Sequence, residues 1–279
     1  MGFSHQYKMF SIFHFFKSLV DNKSSFRLSQ KLEDFPFDDN FFSCKNKGIF
    51  PDLIIKSNPN PTLFTGGEMV ELKDSKSYVV SSFNSSIPTK YKKMEKVITG
   101  EKSKISIQLK EAGESVNTLP IRDVFYLVRG GKNTKMKVCL VSGGFFETLL
   151  VEDLIGQSFL QVLEESLEKT SKKISNENKK TLLSILSSQD SFRKVRNVEG
   201  ASVKLRFRIM TEVKPEGNIL NSKKYPQIED NTLNFILPFE KEIVKKVQLS
   251  FGEKQFNKLK TFKLKHHNNG DYLVFQTDL

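Results

Sequence analysis

The chain has no tryptophan, only two cysteines and only four histidines in 279 residues. Cys44 and Cys139 stand far apart, and no C-x-x-C pair or His/Cys cluster exists. That argues against a disulfide framework and against a structural zinc site. Cys139 lies in an apolar V-C-L-V run and reads as a small core residue rather than a nucleophile. A reducing cytoplasm fits this cysteine usage. Long apolar runs are also missing. The stretch around Phe10 to Val20 is interrupted by His14 and Lys17, is too short to span a bilayer and lacks a small-residue cleavage site. No membrane partner is expected. Acid is in deficit: 32 Asp and Glu stand against 44 Lys and Arg, for a net charge of +12. Such an excess favours a polyanion, with nucleic acid as the first candidate. A compositional bias toward Lys, Asn, Ser, Phe and Ile is the competing source of that charge. What the chain has in plenty is phenylalanine, 25 of them, within 38% hydrophobic content. That argues against global disorder and allows a substantial core.

The informative stretch runs from Pro51 to Lys73. It reads P-D-L-I-I-K, then a polar loop with Pro59, Pro61, Gly66 and Gly67, then E-M-V-E-L-K. Two short strands are expected, over 52–56 and 67–73. Side chains alternate along a strand, so Glu71 and Lys73 share one face while Val70 and Leu72 take the other. If the strands are adjacent, Asp52 stands beside Glu71, and two carboxylates and an ammonium converge. Paired acids can hold Mg²⁺, and a lysine beside them can orient an attacking water, a set suited to phosphodiester hydrolysis. The bland reading is a turn-capping Asp52 with Glu71 and Lys73 as solvated strand residues. E-x-K alone is weak, since it occurs three times here: Glu71–Lys73, Glu177–Lys179 and Glu212–Lys214. The second lies in a polar run without strand character, and the third has no Asp-led apolar run just before it.

Pro51-Asp52 with Glu71-Leu72-Lys73 resembles the motif of the P-D-(D/E)-x-K nucleases, most closely the type II restriction endonucleases. The match directly covers about a tenth of the chain. The resemblance implies an α/β fold of the α+β kind, a mixed central sheet flanked by helices. It implies Mg²⁺-dependent, sequence-specific cleavage of double-stranded DNA leaving 5′-phosphates, with no organic cofactor. Asp52 and Glu71 would be metal ligands, the backbone carbonyl of Leu72 would add an oxygen, and Lys73 would sit near the attacking water. The family also often lends an acid from an N-terminal helix, here Glu33 or Asp34. A palindromic target would imply a homodimer. The same motif serves repair and structure-specific nucleases. A non-catalytic DNA-binding protein with a structural acid–lysine cluster is the alternative from another class.

Around this stretch, 8–21 has Phe10, Phe13, Phe16, Leu19 and Val20 at helical spacing, and 24–34 is expected to add a second helix. Residues 35–49 read as a loop, and 78–83 as a third short strand or an extension of the second. Asn84 and Ser85 follow in a turn; they can touch DNA, or the turn alone explains them. The basic run 89–96 reads as a helix, with Lys90, Lys92 and Lys93 as phosphate contacts or as a solvated face. Residues 104–109 alternate as a strand. The apolar runs 124–128 and 137–141 read as a central hairpin closed by G-G-K-N-T. That loop is not a phosphate-binding P-loop, because Asn133 follows the lysine and a strand follows the loop. Helices are expected over about 151–170 and 179–188. In the strand expected over 203–210, Lys204, Arg206 and Arg208 share a face that suits DNA or simply keeps an exposed strand soluble. A strand over 232–237, helix over 239–260 and a closing hairpin over 262–275 complete the reading. The H-H-N-N-G-D cluster there reads as a turn, not as an H-N-H nuclease site. The expected division is a helical extension over 1–44, a catalytic core over 45–170 and a mixed C-terminal region over 171–279.

Overall fold

The computed structural model describes residues 9–58, 64–80, 83–84, 88–98, 100–146, 151–169, 174–187, 197–200, 203–206, 210–211 and 213–279. The first half carries α1 (Ile12–Asp21), α2 (Ser25–Leu28), β1 (Phe42–Lys45), β2 (Leu53–Ile55), β3 (Met69–Ser75), β4 (Phe83–Asn84), β5 (Tyr91–Lys93), α3 (Met94–Val97), α4 (Lys104–Glu111), β6 (Ile121–Lys132) and β7 (Lys135–Ser142). The second half carries α5 (Val151–Lys169), α6 (Asn176–Ser187), β8 (Asn197–Gly200), β9 (Val203–Arg206), β10 (Met210–Thr211), β11 (Thr232–Pro238), α7 (Ile243–Phe251), α8 (Glu253–Phe256), β12 (Lys260–His266) and β13 (Gly270–Asp278). Two compact units result. One comprises residues 1–81, 88–146 and 213–279, and the other 82–87 and 147–212.

The larger unit is a mixed nine-stranded sheet flanked by helices, an α+β architecture. The strands follow the order β1-β2-β3-β6-β7-β11-β13-β12, with β5 on the start of β6. The β3–β6 and β7–β11 pairs are parallel and the rest antiparallel. In the central pair, Val124 to Val128 of β6 and Val138 to Val141 of β7 are buried throughout, as strands covered on both faces must be. Asn133 closes their hairpin with φ near +58°, a conformation asparagine tolerates. Helix α1 begins where Ser11 accepts a hydrogen bond from the His14 N–H, and it buries Ile12, Phe13, Phe15, Phe16 and Leu19. Phe16 stacks on Phe235 at 4.8 Å between centroids and also meets Phe251 of α7. Many of the phenylalanines thus gather in one aromatic core between α1, α7 and the sheet.

Several segments differ from the sequence expectation. Residues 104–109 form α4, not a strand: Ser103 caps it, Ile105 and Leu109 share the buried face at i, i+4, and Ile107 is exposed. A five-residue I-x-I-x-L alternation fits both periods, and the exposed central Ile107 decides for the helix. The basic run expected as a helix instead opens with β5. Residues 121–123 of β6 outrun both neighbouring strands, and β5 takes up their free backbone groups, Lys92 facing Arg122. The 24–34 helix is only Ser25–Leu28 followed by a 3₁₀ turn over Leu32–Asp34, and the 35–49 loop contains edge strand β1. Residues 76–80 carry no strand. The sheet also crosses the expected domain limits. Strands β11, β12 and β13 belong to it, whereas α5 and α6 fall in the smaller unit. Within that unit Lys179 pairs with Glu164 at 2.9 Å, β8 pairs with β9, and β4 with β10.

Arg129 of β6 fastens the N-terminal segment to the sheet. Its guanidinium is buried and makes five hydrogen bonds: two to Asp74 at 2.6 and 2.9 Å, and one each to the carbonyls of Phe26, Ser29 and Gln30. Asp74 also accepts the Leu32 N–H at 2.5 Å. Arg129→Met removes the guanidinium donors from three carbonyls and leaves Asp74 only the Leu32 N–H, and should cost about 3–5 kcal/mol in urea unfolding. Arg129→Lys should not restore that loss, because one ammonium cannot span the fork; near-wild-type stability of the Lys variant would contradict the clamp.

Candidate active site

Strand β2 is short, and its register with β3 decides the geometry. Leu53 pairs with Val70 and Ile54 with Met69, so one step further along the antiparallel ladder Asp52 comes opposite Glu71. The turn before β2 is held by the Asn46 N–H, which donates to the Asp52 carbonyl at 2.7 Å. Asp52 then reaches across β3: its Oδ2 accepts the Leu72 N–H at 2.7 Å. On the same strand Lys73 Nζ donates to Glu71 Oε1 at 2.8 Å. Asp52 and Glu71 are only 7% and 6% exposed, and the Lys73 side chain only 19%. The two carboxylates and the lysine expected from sequence are therefore brought together.

Burial pushes the Asp52 carboxyl up to about 7, with the neighbouring Glu71 charge adding to it; the Leu72 N–H and Lys73 oppose the rise. Glu33, on the 3₁₀ turn, also raises it, so one of the two expected N-terminal acids lies within electrostatic reach. Asp34 is exposed.

The donors suit a hard divalent cation. Two buried carboxylates lie close enough to interact, and a cation bound by both would offset the burial and the repulsion that hold a proton on Asp52. A strand residue directs its N–H and C=O to the same side. The Leu72 carbonyl therefore points to the edge of β3 where pairing with β2 has ended at Val70. Two carboxylates and a carbonyl are all-oxygen donors of the kind Mg²⁺ takes while keeping several waters. Among the described residues no three His, Cys, Asp or Glu side chains gather into a fuller metal cage.

The connection from β2 to β3 is fixed at both ends, a feature the sequence did not reveal. Buried Arg122 donates to the Gly67 carbonyl at 3.2 Å and to Glu114 at 3.1 Å, and Glu114 accepts the Ser57 N–H at 2.7 Å. Gly67 has φ near +81°, and a Cβ there would come within 2.8 Å of Leu119. Glu68 was also missed. It is buried at the foot of β3, accepts the Ile12 N–H at 3.3 Å, and burial pushes its carboxyl up to about 7. No sequence signal marks it, since the adjacent Met69 and Val70 read only as strand.

The expected DNA-contacting residues are dispersed. Lys90 and Lys93 are exposed, Lys93 lying 3.7 Å from Glu95. Lys92 is buried with its ammonium 4.6 Å from the Phe50 ring centroid, beside the Pro51-Asp52 turn rather than on a solvent face. Asn84 and Arg206 are described by backbone alone, Asn84 facing Met210 and Arg206 facing Asn197. Ser85 and Arg208 lie outside the described residues. Among the described residues no helix is long and apolar enough to cross a membrane.

No protein-family model, no curated protein and no solved structure matches the chain.

The raised Asp52 carboxyl has a testable sign. The native state holds a proton there that the unfolded chain releases near pH 4, so this group's contribution to stability falls as pH rises from about 4 through about 7. In EDTA, wild type should lose Tm relative to Asp52→Asn between pH 5 and pH 8. Added Mg²⁺ should raise the wild-type Tm more at pH 8 than at pH 5 and leave Asp52→Asn unmoved. Parallel pH profiles for the two proteins would overturn this account.

Proposed function

We propose that the chain is a Mg²⁺-dependent DNA endonuclease of the restriction type, cutting double-stranded DNA to leave 5′-phosphates. One observation carries the reading. The Asp52 carboxylate hydrogen-bonds across the Glu71-Leu72-Lys73 segment, so the paired acids and the lysine form one buried cluster at the open end of the β2–β3 pair. One further feature supports it: the net charge of +12 suits a polyanionic substrate.

Asp52, Glu71 and the carbonyl of Leu72 would hold the metal ion. Mg²⁺, when bound, supplies Lewis-acid charge to the phosphate and to the attacking water. The Asp52–Leu72 hydrogen bond fixes the distance between the two carboxylate-bearing segments before any ligand arrives. Lys73, oriented by Glu71, can donate a hydrogen bond to the attacking water or to a phosphate oxygen as negative charge grows. Burial of the cluster makes each of these interactions stronger than it would be in water. Cutting both strands of a palindrome calls for a two-fold pair of chains, one site per strand.

The test is incubation with unmethylated plasmid and phage DNA in Mg²⁺ and in EDTA. Discrete fragments with 5′-phosphate ends, seen only with Mg²⁺, are expected. Lys73→Ala should lower the cleavage rate by more than about 100-fold while binding persists. A Lys73→Ala enzyme cutting at the wild-type rate, or DNA bound but uncut across several substrates, would end the proposal.

A further inference from the structure

Beside the candidate site lies a groove of about 550 Å³, built by the N-terminal segment against the end of β3. Gln30, Lys31, Glu33, Leu72, Lys76 and Met136 line it. Its volume is in the range that takes a nucleotide-sized group. Two residues link the groove to the acid–lysine cluster around the edge of β3, since Leu72 and Asp74 take the strand face opposite Glu71 and Lys73. Leu72 lines the groove and gives its N–H to Asp52, and Glu33 lines the groove while its charge reaches Asp52. The β3 edge between them is open, because β2 ends its pairing at Val70.

The groove's chemistry divides into floor and rim. Leu72 and Met136 are half-buried apolar side chains. Lys31 and Lys76 are exposed and have no ion-pair partner among the described residues. Arg129 and Asp74 also border the groove, but they neutralise each other in the clamp described above. Glu33 is the remaining acid and lies 4.0 Å from Lys47. What is left over is a pair of free cations above an apolar floor.

We propose that this groove seats the nucleotide next to the scissile phosphate. Lys31 and Lys76 take the flanking phosphates of one DNA strand, and the floor of Leu72 and Met136 receives its sugar or base. The assignment rests on the nuclease reading for its substrate but not for its geometry. Rigid anchoring by Arg129 matters here, since it fixes the backbone of Ser29 and Gln30 and so the position of Lys31.

The experiment is fluorescence anisotropy of the full chain with a labelled 20-mer duplex in EDTA, so that nothing is cut. The Lys31→Glu/Lys76→Glu double variant is compared with Lys258→Glu/Lys265→Glu, which changes charge equally on exposed residues elsewhere. Thermal melts confirm that both fold. The groove variant should bind at least 10-fold more weakly, and the slope of log K against log salt should shrink by about two, as loss of two phosphate contacts requires. The control should stay within about 3-fold by the same counting. Equal weakening of both variants would show a general charge effect and overturn the assignment, as would wild-type binding by the groove variant or no binding by wild type. A groove variant that binds poorly while wild type binds but never cuts with Mg²⁺ would keep the groove and remove the nuclease reading. Wild-type cleavage with an unaffected groove variant would do the reverse.

Discussion

The Arg129–Asp74 pair is the interaction on which the rest of the larger unit depends. It joins three things that sequence order keeps apart: β6, the end of β3 and the turn after α2. Removing either partner would strand a buried charge or three carbonyls, a far larger penalty than loss of an exposed ion pair. Because the guanidinium is planar and all five of its bonds are made, it fixes direction as well as distance. Helix α1 is thereby delivered to the aromatic core at Phe235 and Phe251, and Glu33 is delivered to the neighbourhood of Asp52. One side chain thus sets both the packing of the N-terminal segment and the electrostatics at the acid cluster.

That cluster works against the stability of the fold. Two carboxylates are held buried and opposed, and Glu68 adds a third buried acid at the start of the same strand. Burial penalises the charged forms of Asp52 and Glu68, so folding near neutral pH must overcome either desolvation or proton uptake. A fold selected for stability alone would fill these positions with apolar residues. Strongly shifted acids beside a lysine, held by a backbone N–H, are the pattern expected where chemistry sets the residue types. The surrounding restraints fit that view. The Arg122–Glu114–Ser57 linkage holds both ends of the β2–β3 connection and so keeps Asp52 opposite Glu71.

How much of this was legible in the sequence follows from range. The β6–β7 hairpin, α1, α5 and the closing β12–β13 hairpin were readable because local periodicity and turn residues specify them. The convergence of Asp52, Glu71 and Lys73 was readable because it needs only two neighbouring strands and the alternation of side chains. What failed was short or non-local. Ile105, Ile107 and Leu109 satisfy helix and strand periods alike, and only tertiary burial separates them. β5 forms because β6 is longer than its neighbours, a fact no window around Lys92 contains. Lys92 accordingly reads as an exposed cation in sequence and turns inward over Phe50 in the fold. The Arg129 clamp spans about a hundred residues between partners, and the residues at its two ends carry no shared pattern.

The open edge of β3 ties these strands of argument together. An unpaired strand edge is ordinarily a hazard that proteins cover or charge. Here β2 spans only Leu53–Ile55 and stops pairing at Val70, leaving Leu72 at a gap in the ladder. The gap is not left bare: Asp52 takes the Leu72 N–H, and Glu71 and Lys73 bracket it with opposite charges. Extending β2 by two residues would pair Leu72 with backbone and remove the place where its carbonyl can face a ligand. The shortness of β2 thus leaves the Leu72 backbone to be met by the Asp52 side chain rather than by a strand. It also leaves Leu72 to line the groove bordered by Lys31 and Lys76. Strand length, which hydrophobic pattern sets locally, therefore decides where this molecule is closed by its own hydrogen bonds and where it is open to a partner.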